Sequence, residues 1–149
     1  MKKKLLKTIF ANFQGDWSFT RNFSTGDYVS GTACFKMIET DLLHYLEHGL
    51  LTHHRGEFTI YQDYFYYWDG MENEIKVYFS SNGKPGNLFH TLVFQSAEAE
   101  NQVAVGHHLC KADYYKAIYQ FISKHVFDLS YQVKGPAKDY VSITKYFKQ

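Results

Sequence analysis

Apolar and polar residues alternate along most of this chain, and a period of two predicts β-strands rather than helices. The alternating segments are short, and turn residues separate them, as at Asn82-Gly83 and Gly135-Pro136. Strands joined by such turns, with no helix between them, form an antiparallel meander. We predict ten strands, near residues 16–24, 28–38, 42–52, 56–68, 73–80, 87–96, 102–111, 114–124, 125–134 and 139–147.

The number of strands in so small a chain predicts a closed barrel. Ten strands in 149 residues either stack as two sheets or close into a cylinder, and closure removes exposed strand edges. We expect one all-β domain over residues 1–149, an antiparallel up-and-down lipocalin-like (calycin-type) β-barrel of about 8–10 strands. Leucine, isoleucine and phenylalanine recur at helical spacing near the start, which predicts a short amphipathic helix, within residues 1–14, capping the barrel.

Charged side chains interrupt the apolar faces of these strands. Arg21 shares a strand face with Trp17, Phe19 and Phe23, and it is one of two arginines against fourteen lysines. An arginine that points into a barrel is costly unless an anionic group meets it. Glu47 also lies on an inward face and is the natural partner. The pattern leaves open a structural ion pair or a polar anchor for a ligand.

Glu47 also belongs to the sequence His44-Tyr-Leu-Glu47-His48, the H-x-x-E-H spacing of some zinc proteases. On a helix, the two imidazoles would share one face and bind zinc. The alternating flanks instead predict a strand, with His44 and His48 on one face and Glu47 on the other. We therefore expect two surface imidazoles and an inward carboxylate.

An ordered set of short motifs resembles a family of unknown function, DUF6314, over nearly the whole chain. The motifs are Gly15-x-Trp17 with Arg21, Gly31-x-Ala33-x-Phe35, Tyr45-x-Glu47-x-Gly49, the aromatic run around Tyr66 and Trp68, Phe89-His90, His108-x-Cys110-x-x-Asp113-x-Tyr115 and Val133-x-Gly135-Pro136-x-Lys138-Asp139-Tyr140. The resemblance implies a lipocalin-like barrel and no catalytic assignment. One departure is Gly86-Asn87-Leu88, where the family often has Asp-Gly-Arg, so an anion contact from that arginine is absent.

Two histidines are further interior candidates. His90 shares a predicted face with Leu88, Leu92 and Phe94, where it is either a hydrogen-bonded core residue or a ligand contact. Strict alternation favours His107 inside, whereas the family-like motif selects His108, and we follow the motif. His90, His108 and Cys110 would form a soft donor set for zinc or haem iron. Their spacing is not diagnostic, so we predict no cofactor.

Composition and charge restrict the partners and the compartment. The net charge is +1, which is too small to attract nucleic acid electrostatically. No segment approaches the ~20 apolar residues of a membrane span. Lys7 interrupts the apolar N-terminus, which argues against a signal peptide, and two cysteines do not make a disulfide framework. We expect a cytoplasmic monomer or homodimer with Cys34 and Cys110 reduced and mostly buried.

The leading functional hypothesis is a barrel that binds a small, partly apolar molecule in an aromatic-lined interior. The candidate ligand-binding residues are Arg21, Glu47, His90, His108, Tyr45, Tyr66, Tyr115 and Lys138. One alternative is a small isomerase or hydrolase with Glu47 or His90 as general base. Another is an interaction domain whose barrel is filled and binds no ligand.

Overall fold

Ten antiparallel strands form a closed barrel in the computed structural model, which describes residues 2–95 and 101–149. Each strand pairs with its neighbours in sequence, and the first pairs with the last. The strands are β1 (Gly15–Phe23), β2 (Tyr28–Glu39), β3 (Leu42–His53), β4 (Gly56–Asp69), β5 (Glu74–Ser81), β6 (Lys84–Phe94), β7 (Gln102–Cys110), β8 (Asp113–Ser123), β9 (Val126–Lys134) and β10 (Asp139–Lys148). The predicted all-β, up-and-down barrel is confirmed. Residues 1 and 96, at the ends of the predicted helix and of one predicted strand, lie outside the described residues.

A single helix, α1 (Lys3–Phe13), closes one end of the barrel, which we call the helix end. Its buried face includes Phe13, whose ring packs against Phe35 at 4.9 Å and Phe127 at 5.4 Å between centroids. The indole Nε1 of Trp17 donates a hydrogen bond to the carbonyl of Phe13 at 2.8 Å, which fixes the helix to β1. Among the described residues, no helix is long and apolar enough to cross a membrane.

The opposite end, which we call the open end, has no helix over it in the described chain. It is formed by the turns that follow the odd-numbered strands, including the β9–β10 turn, where the amide of Gly135 donates to the carbonyl of Lys138 at 2.7 Å. Gly135-Pro136 therefore makes the hairpin expected from the sequence. Cys110 ends β7 at this rim and is exposed, and Cys34 is half-buried, so the prediction of mostly buried thiols is wrong; both thiols are free.

A bulge in β6 changes which residues face the interior. Val77 pairs with His90 and Tyr78 pairs with Leu88, so Phe89 is an extra residue in β6. Such an insertion turns two consecutive side chains to one face. Phe89 and His90 are both buried, and Leu88 is exposed. The prediction that Leu88 shares the inward face of His90 is therefore wrong.

The pairing between β6 and β7, which we call the seam, is the shortest in the described barrel. Its register holds two residue pairs, Val93 with Val105 and Phe94 with Ala104, and the amide of Gln95 adds a hydrogen bond to the carbonyl of Val103. By contrast, β7 pairs with β8 along its full length, from Gln102 to Cys110. Towards the open end the two strands form no further register pairs within the described residues, although the His90 ring still packs against Gly106.

Candidate functional site

A cavity of about 120 Å³ lies inside the barrel towards the open end. Aromatic side chains form most of its wall, and these are Phe23, Tyr64, Tyr66, Phe89, Tyr115, Tyr131 and Tyr140. One side is polar, with Arg21, Glu47, Tyr45 and Tyr146. Five of the eight predicted ligand-binding residues line this cavity: Arg21, Glu47, Tyr45, Tyr66 and Tyr115.

Arg21 and Glu47 form a two-pronged ion pair at the cavity wall. The Nη1 and Nη2 atoms of Arg21 each lie 2.9 Å from a carboxylate oxygen of Glu47, and Nε donates to Oγ1 of Thr144 at 2.7 Å. Both side chains are buried, and both border the cavity. Burial alone lowers the pKa of the guanidinium, but the hydrogen bonds to Glu47 raise it above its ordinary value. The charges therefore neutralise each other within the wall.

Two phenols complete the hydrogen bonding of this pair. The Tyr45 hydroxyl donates to Oε1 of Glu47 at 2.6 Å and lies 2.8 Å from the Tyr146 hydroxyl, whose oxygen is 3.5 Å from Nη2 of Arg21. Because Tyr45 gives its proton to the carboxylate, Tyr146 is the donor between the two phenols. Burial raises the pKa of Tyr45 well above its usual value and that of Tyr146 to about 12, so both are neutral donors at neutral pH.

Tyr64 and Tyr131 are cavity residues that the sequence hypothesis did not name. Both hydroxyls belong to side chains on the cavity wall, and neither has a hydrogen-bond partner within residues 2–95 and 101–149. Burial raises the pKa of Tyr64 to about 12 and that of Tyr131 well above its ordinary value, so each keeps its proton. Alternation could have found them, because Tyr64 shares a face with Tyr66 and Tyr131 shares one with Leu129.

His90 lies behind the cavity wall rather than on it. Its Nε2 atom is 2.9 Å from the Tyr119 hydroxyl, which is 2.9 Å from the hydroxyl of Tyr66. Burial, with a smaller effect of His108, lowers the pKa of His90 to about 3, so the ring is neutral. The ring lies against Gly106, where a Cβ atom would fall 2.5 Å from Cδ2. His90 is therefore connected to the cavity by a chain of hydrogen bonds through Tyr119 and Tyr66.

The two remaining predicted residues lie towards the rim. His108 faces inward, as the motif suggested, with its ring 5.3 Å from that of Phe89, and His107 is exposed. His107 does share a face with Val103 and Val105, but this is the outer face, because Gln102, Ala104 and Gly106 are the buried residues; the expectation that His107 lies inside is therefore wrong. Lys138 is exposed, and its Nζ atom donates to the Tyr115 hydroxyl at 3.0 Å. Lys138 thus touches a cavity residue from outside the cavity.

The candidate metal donors do not come together. Within the described residues, no three His, Cys, Asp or Glu side chains are grouped so that they could hold a metal ion. Cys110 is exposed at the end of β7, whereas His90 is buried. The H-x-x-E-H sequence lies on β3, where His44 stacks on Phe65 outside the barrel and Glu47 points inward. The strand interpretation of this motif is confirmed.

The chain belongs to a family of unknown function, DUF6314, whose sequence profile matches residues 13–148. The resemblance inferred from the motifs is therefore confirmed. No curated protein matches the chain.

Three solved structures with similar folds are distant from this chain in sequence. An S-type phycobiliprotein lyase, CPES, from Guillardia theta shares 9% identity with a TM-score of 0.72, covering 100% of this chain and 98% of that one. The barrel EF1p2_mFAP2b, solved bound to DFHBI, shares 11% identity with a TM-score of 0.56, covering 97% and 99%. The redesigned barrel mFAP0, also bound to DFHBI, shares 9% identity with a TM-score of 0.51, covering 92% and 99%. These similarities show the fold.

Proposed function

We propose that this protein binds a small, partly apolar molecule in the cavity at the open end of the barrel. The observation that carries the proposal is the pair of phenol hydroxyls, on Tyr64 and Tyr131, that line the cavity without a protein partner. Both side chains are half-buried on the cavity wall, so their hydroxyls can donate to an occupant that carries acceptor atoms. The surrounding rings would supply the apolar contact area.

The charge arrangement favours a neutral polar group on this ligand. Arg21 has an anionic partner in Glu47, and every carboxylate oxygen already accepts from Arg21 or Tyr45. A charged ligand would therefore meet a wall with no net charge to offset its desolvation. A carbonyl, ether or hydroxyl oxygen on a planar ring would suit two phenol donors and flat aromatic walls.

The size of the cavity limits how much of the ligand is enclosed. Sites that bury a drug-sized molecule usually measure about 300–1,000 Å³, and this cavity measures about 120 Å³. We expect the polar end to lie inside and the remainder to extend past Phe23 and Tyr140 into the open mouth. Two barrels of similar fold were solved with DFHBI bound, which supports small-molecule binding in this shape of scaffold.

The geometry gives little support to the enzyme alternative. Oε1 of Glu47 accepts from Arg21 and Tyr45 and Oε2 accepts from Arg21, so taking a proton from a substrate would weaken the pairing of the carboxylate with the guanidinium. His90 does not line the cavity, and its Nε2 atom faces Tyr119. The filled-barrel alternative conflicts with the cavity and with the two unpartnered phenols.

Native mass spectrometry of the protein as purified, followed by fluorescence titration with neutral aromatic ketones, aromatic acids, flavins, haem and lipids, tests the proposal. We expect saturable binding of a neutral oxygen-bearing aromatic compound, with affinity about 5- to 10-fold weaker in Tyr131→Phe because one hydrogen bond is lost. Tyr61→Phe is the matched control, since Tyr61 is 76% exposed on the outer wall. Unchanged affinity in Tyr131→Phe and Tyr64→Phe, or no binding across the panel, would overturn the proposal.

A further inference from the structure

We propose a second binding site, under helix α1 at the helix end, for an apolar molecule that carries a neutral amide group. A pocket of about 340 Å³ lies between the helix and the barrel wall. This volume is within the usual range for a small-molecule site. Leu5, Ile9 and Phe13 line it from the helix, and Phe121 and Phe127 line it from β8 and β9. The larger part of its surface is apolar, and polar side chains such as Thr8, Asn12 and Ser123 line the remainder.

Gln102 is the feature that marks this pocket as a site. Its side chain is 1% exposed and lines the pocket, and neither Oε1 nor Nε2 has a hydrogen-bond partner in the described chain. Burying an amide without partners is unfavourable, because its polar atoms lose their hydrogen bonds to water and form none in the protein. A leucine or methionine would fill the same space without that cost. The amide thus has an unpaired donor and an unpaired acceptor beside the pocket.

The chemistry of the occupant follows from what surrounds Gln102. Of the described residues that line the pocket, one carries a charge, Lys124, which is exposed. A charged group placed beside the buried amide would be uncompensated there. A primary amide or a lactam presents one donor and one acceptor on the same edge, and it would form two parallel hydrogen bonds with the Gln102 amide. The apolar part of the molecule would pack against the rings of Phe121 and Phe127.

This site is separate from the cavity at the open end. Within residues 2–95 and 101–149, none lines both pockets. The polar groups differ too, since the open end offers phenol donors and the helix end offers an amide with donor and acceptor. The second site therefore goes beyond the proposed function, and either one can fail without the other.

Titration of the full-length protein with 2-naphthamide, and with 2-acetonaphthone as a probe of matched size, tests this site. The ketone keeps the acceptor of the amide and replaces its NH₂ donor by a methyl group. We expect naphthamide to bind at least about 10-fold more tightly, because only the amide satisfies both atoms of Gln102. In ¹H–¹⁵N NMR spectra, the side-chain NH₂ signals of Gln102 should shift during the titration.

Gln102→Met separates the amide contribution from apolar binding, since it keeps the length of the side chain and removes both polar atoms. We expect the preference for naphthamide to disappear in this variant and to persist in Tyr131→Phe, which alters only the open end. The proposal is overturned if the wild-type protein does not prefer naphthamide, or if the Gln102 signals do not shift. Both results are expected if the Gln102 side chain hydrogen-bonds to water and not to the probe. It is also overturned if Tyr131→Phe, rather than Gln102→Met, abolishes the preference.

Discussion

The two ends of this barrel are stabilised in opposite ways. At the helix end, rings pack on rings around Phe13, and the polar side chain of Gln102 is left without a partner. At the open end, the charges of Arg21 and Glu47 are paired with each other, and the unpartnered groups include the phenols of Tyr64 and Tyr131 on the cavity wall. The comparison shows that a barrel can bury an ion pair where its hydrogen bonds are complete. The atoms left over at each end then indicate what each end could bind.

The largest expected effect comes from removing one member of the ion pair. Glu47→Leu leaves the Arg21 guanidinium buried without its anion, and we expect the free energy of unfolding to fall by about 3–5 kcal/mol. The double variant Arg21→Met/Glu47→Leu should regain most of this loss, because no uncompensated charge remains. Denaturant unfolding of the two variants measures both values. A single variant as stable as wild type would show that the pair is not buried as described.

At the helix end, Phe13→Ala removes the ring that joins α1 to the barrel interior. We expect a loss of about 3–4 kcal/mol, because an apolar cavity replaces a side chain that is 1% exposed. Phe147→Ala is the control, since Phe147 is 47% exposed on the outer wall, and it should cost much less. Equal losses in denaturant unfolding would contradict the anchoring role of Phe13.

His90 gives the next effect, which depends on pH. Its pKa is about 3 in the folded state against 6.5 in the unfolded chain, so the unfolded chain binds more protons between these values. Stability is therefore lost as the pH falls through this window, by about 2 kcal/mol at pH 5. His90→Gln, which does not titrate, should show a shallower decline between pH 7 and pH 5. The same slope in both proteins would mean that His90 is protonated in the fold.

Two lysines, one at each end, give the smallest effects. Nζ of Lys148 donates to the carbonyl of Asn12 in the last turn of α1 at 2.6 Å. We expect Lys148→Met to lower the free energy of unfolding by about 0.5–1 kcal/mol. Lys138 is exposed at the open rim, and Lys138→Met should leave the melting temperature unchanged. Thermal unfolding of the two variants side by side checks the difference. A larger drop in melting temperature in Lys138→Met than in Lys148→Met would contradict this expectation.

The sequence predicts the barrel and the ion pair because both depend on which face a residue occupies. Alternation determines that face, so ten strands, Arg21 and Glu47 inside, and His44 outside follow from the pattern alone. The bulge at Phe89 breaks this rule, since one inserted residue reverses the face of Leu88. A period-two pattern does not report such an insertion.

The hydrogen bonds of the site could not be predicted from the sequence. His90 is inside, as expected, but its distance from the cavity depends on Tyr119 and Tyr66, which come from other strands. The unpartnered amide of Gln102 is likewise visible only once neighbouring strands and the helix are in place. The sequence pattern predicts which way a side chain points, and only the folded structure shows which side chains it contacts.

The short pairing of the seam makes one line of the cylinder weaker than the rest. Separating β6 from β7 breaks the two-pair register and the Gln95–Val103 hydrogen bond, whereas separating β7 from β8 breaks a ladder nine residues long. Local opening follows the route with the fewest bonds to break. We therefore expect the backbone amides that face the seam, in residues 87–91 and 106–110, to exchange with deuterium before those of the other strands. Thermal fluctuation would open the barrel lengthwise along this line first.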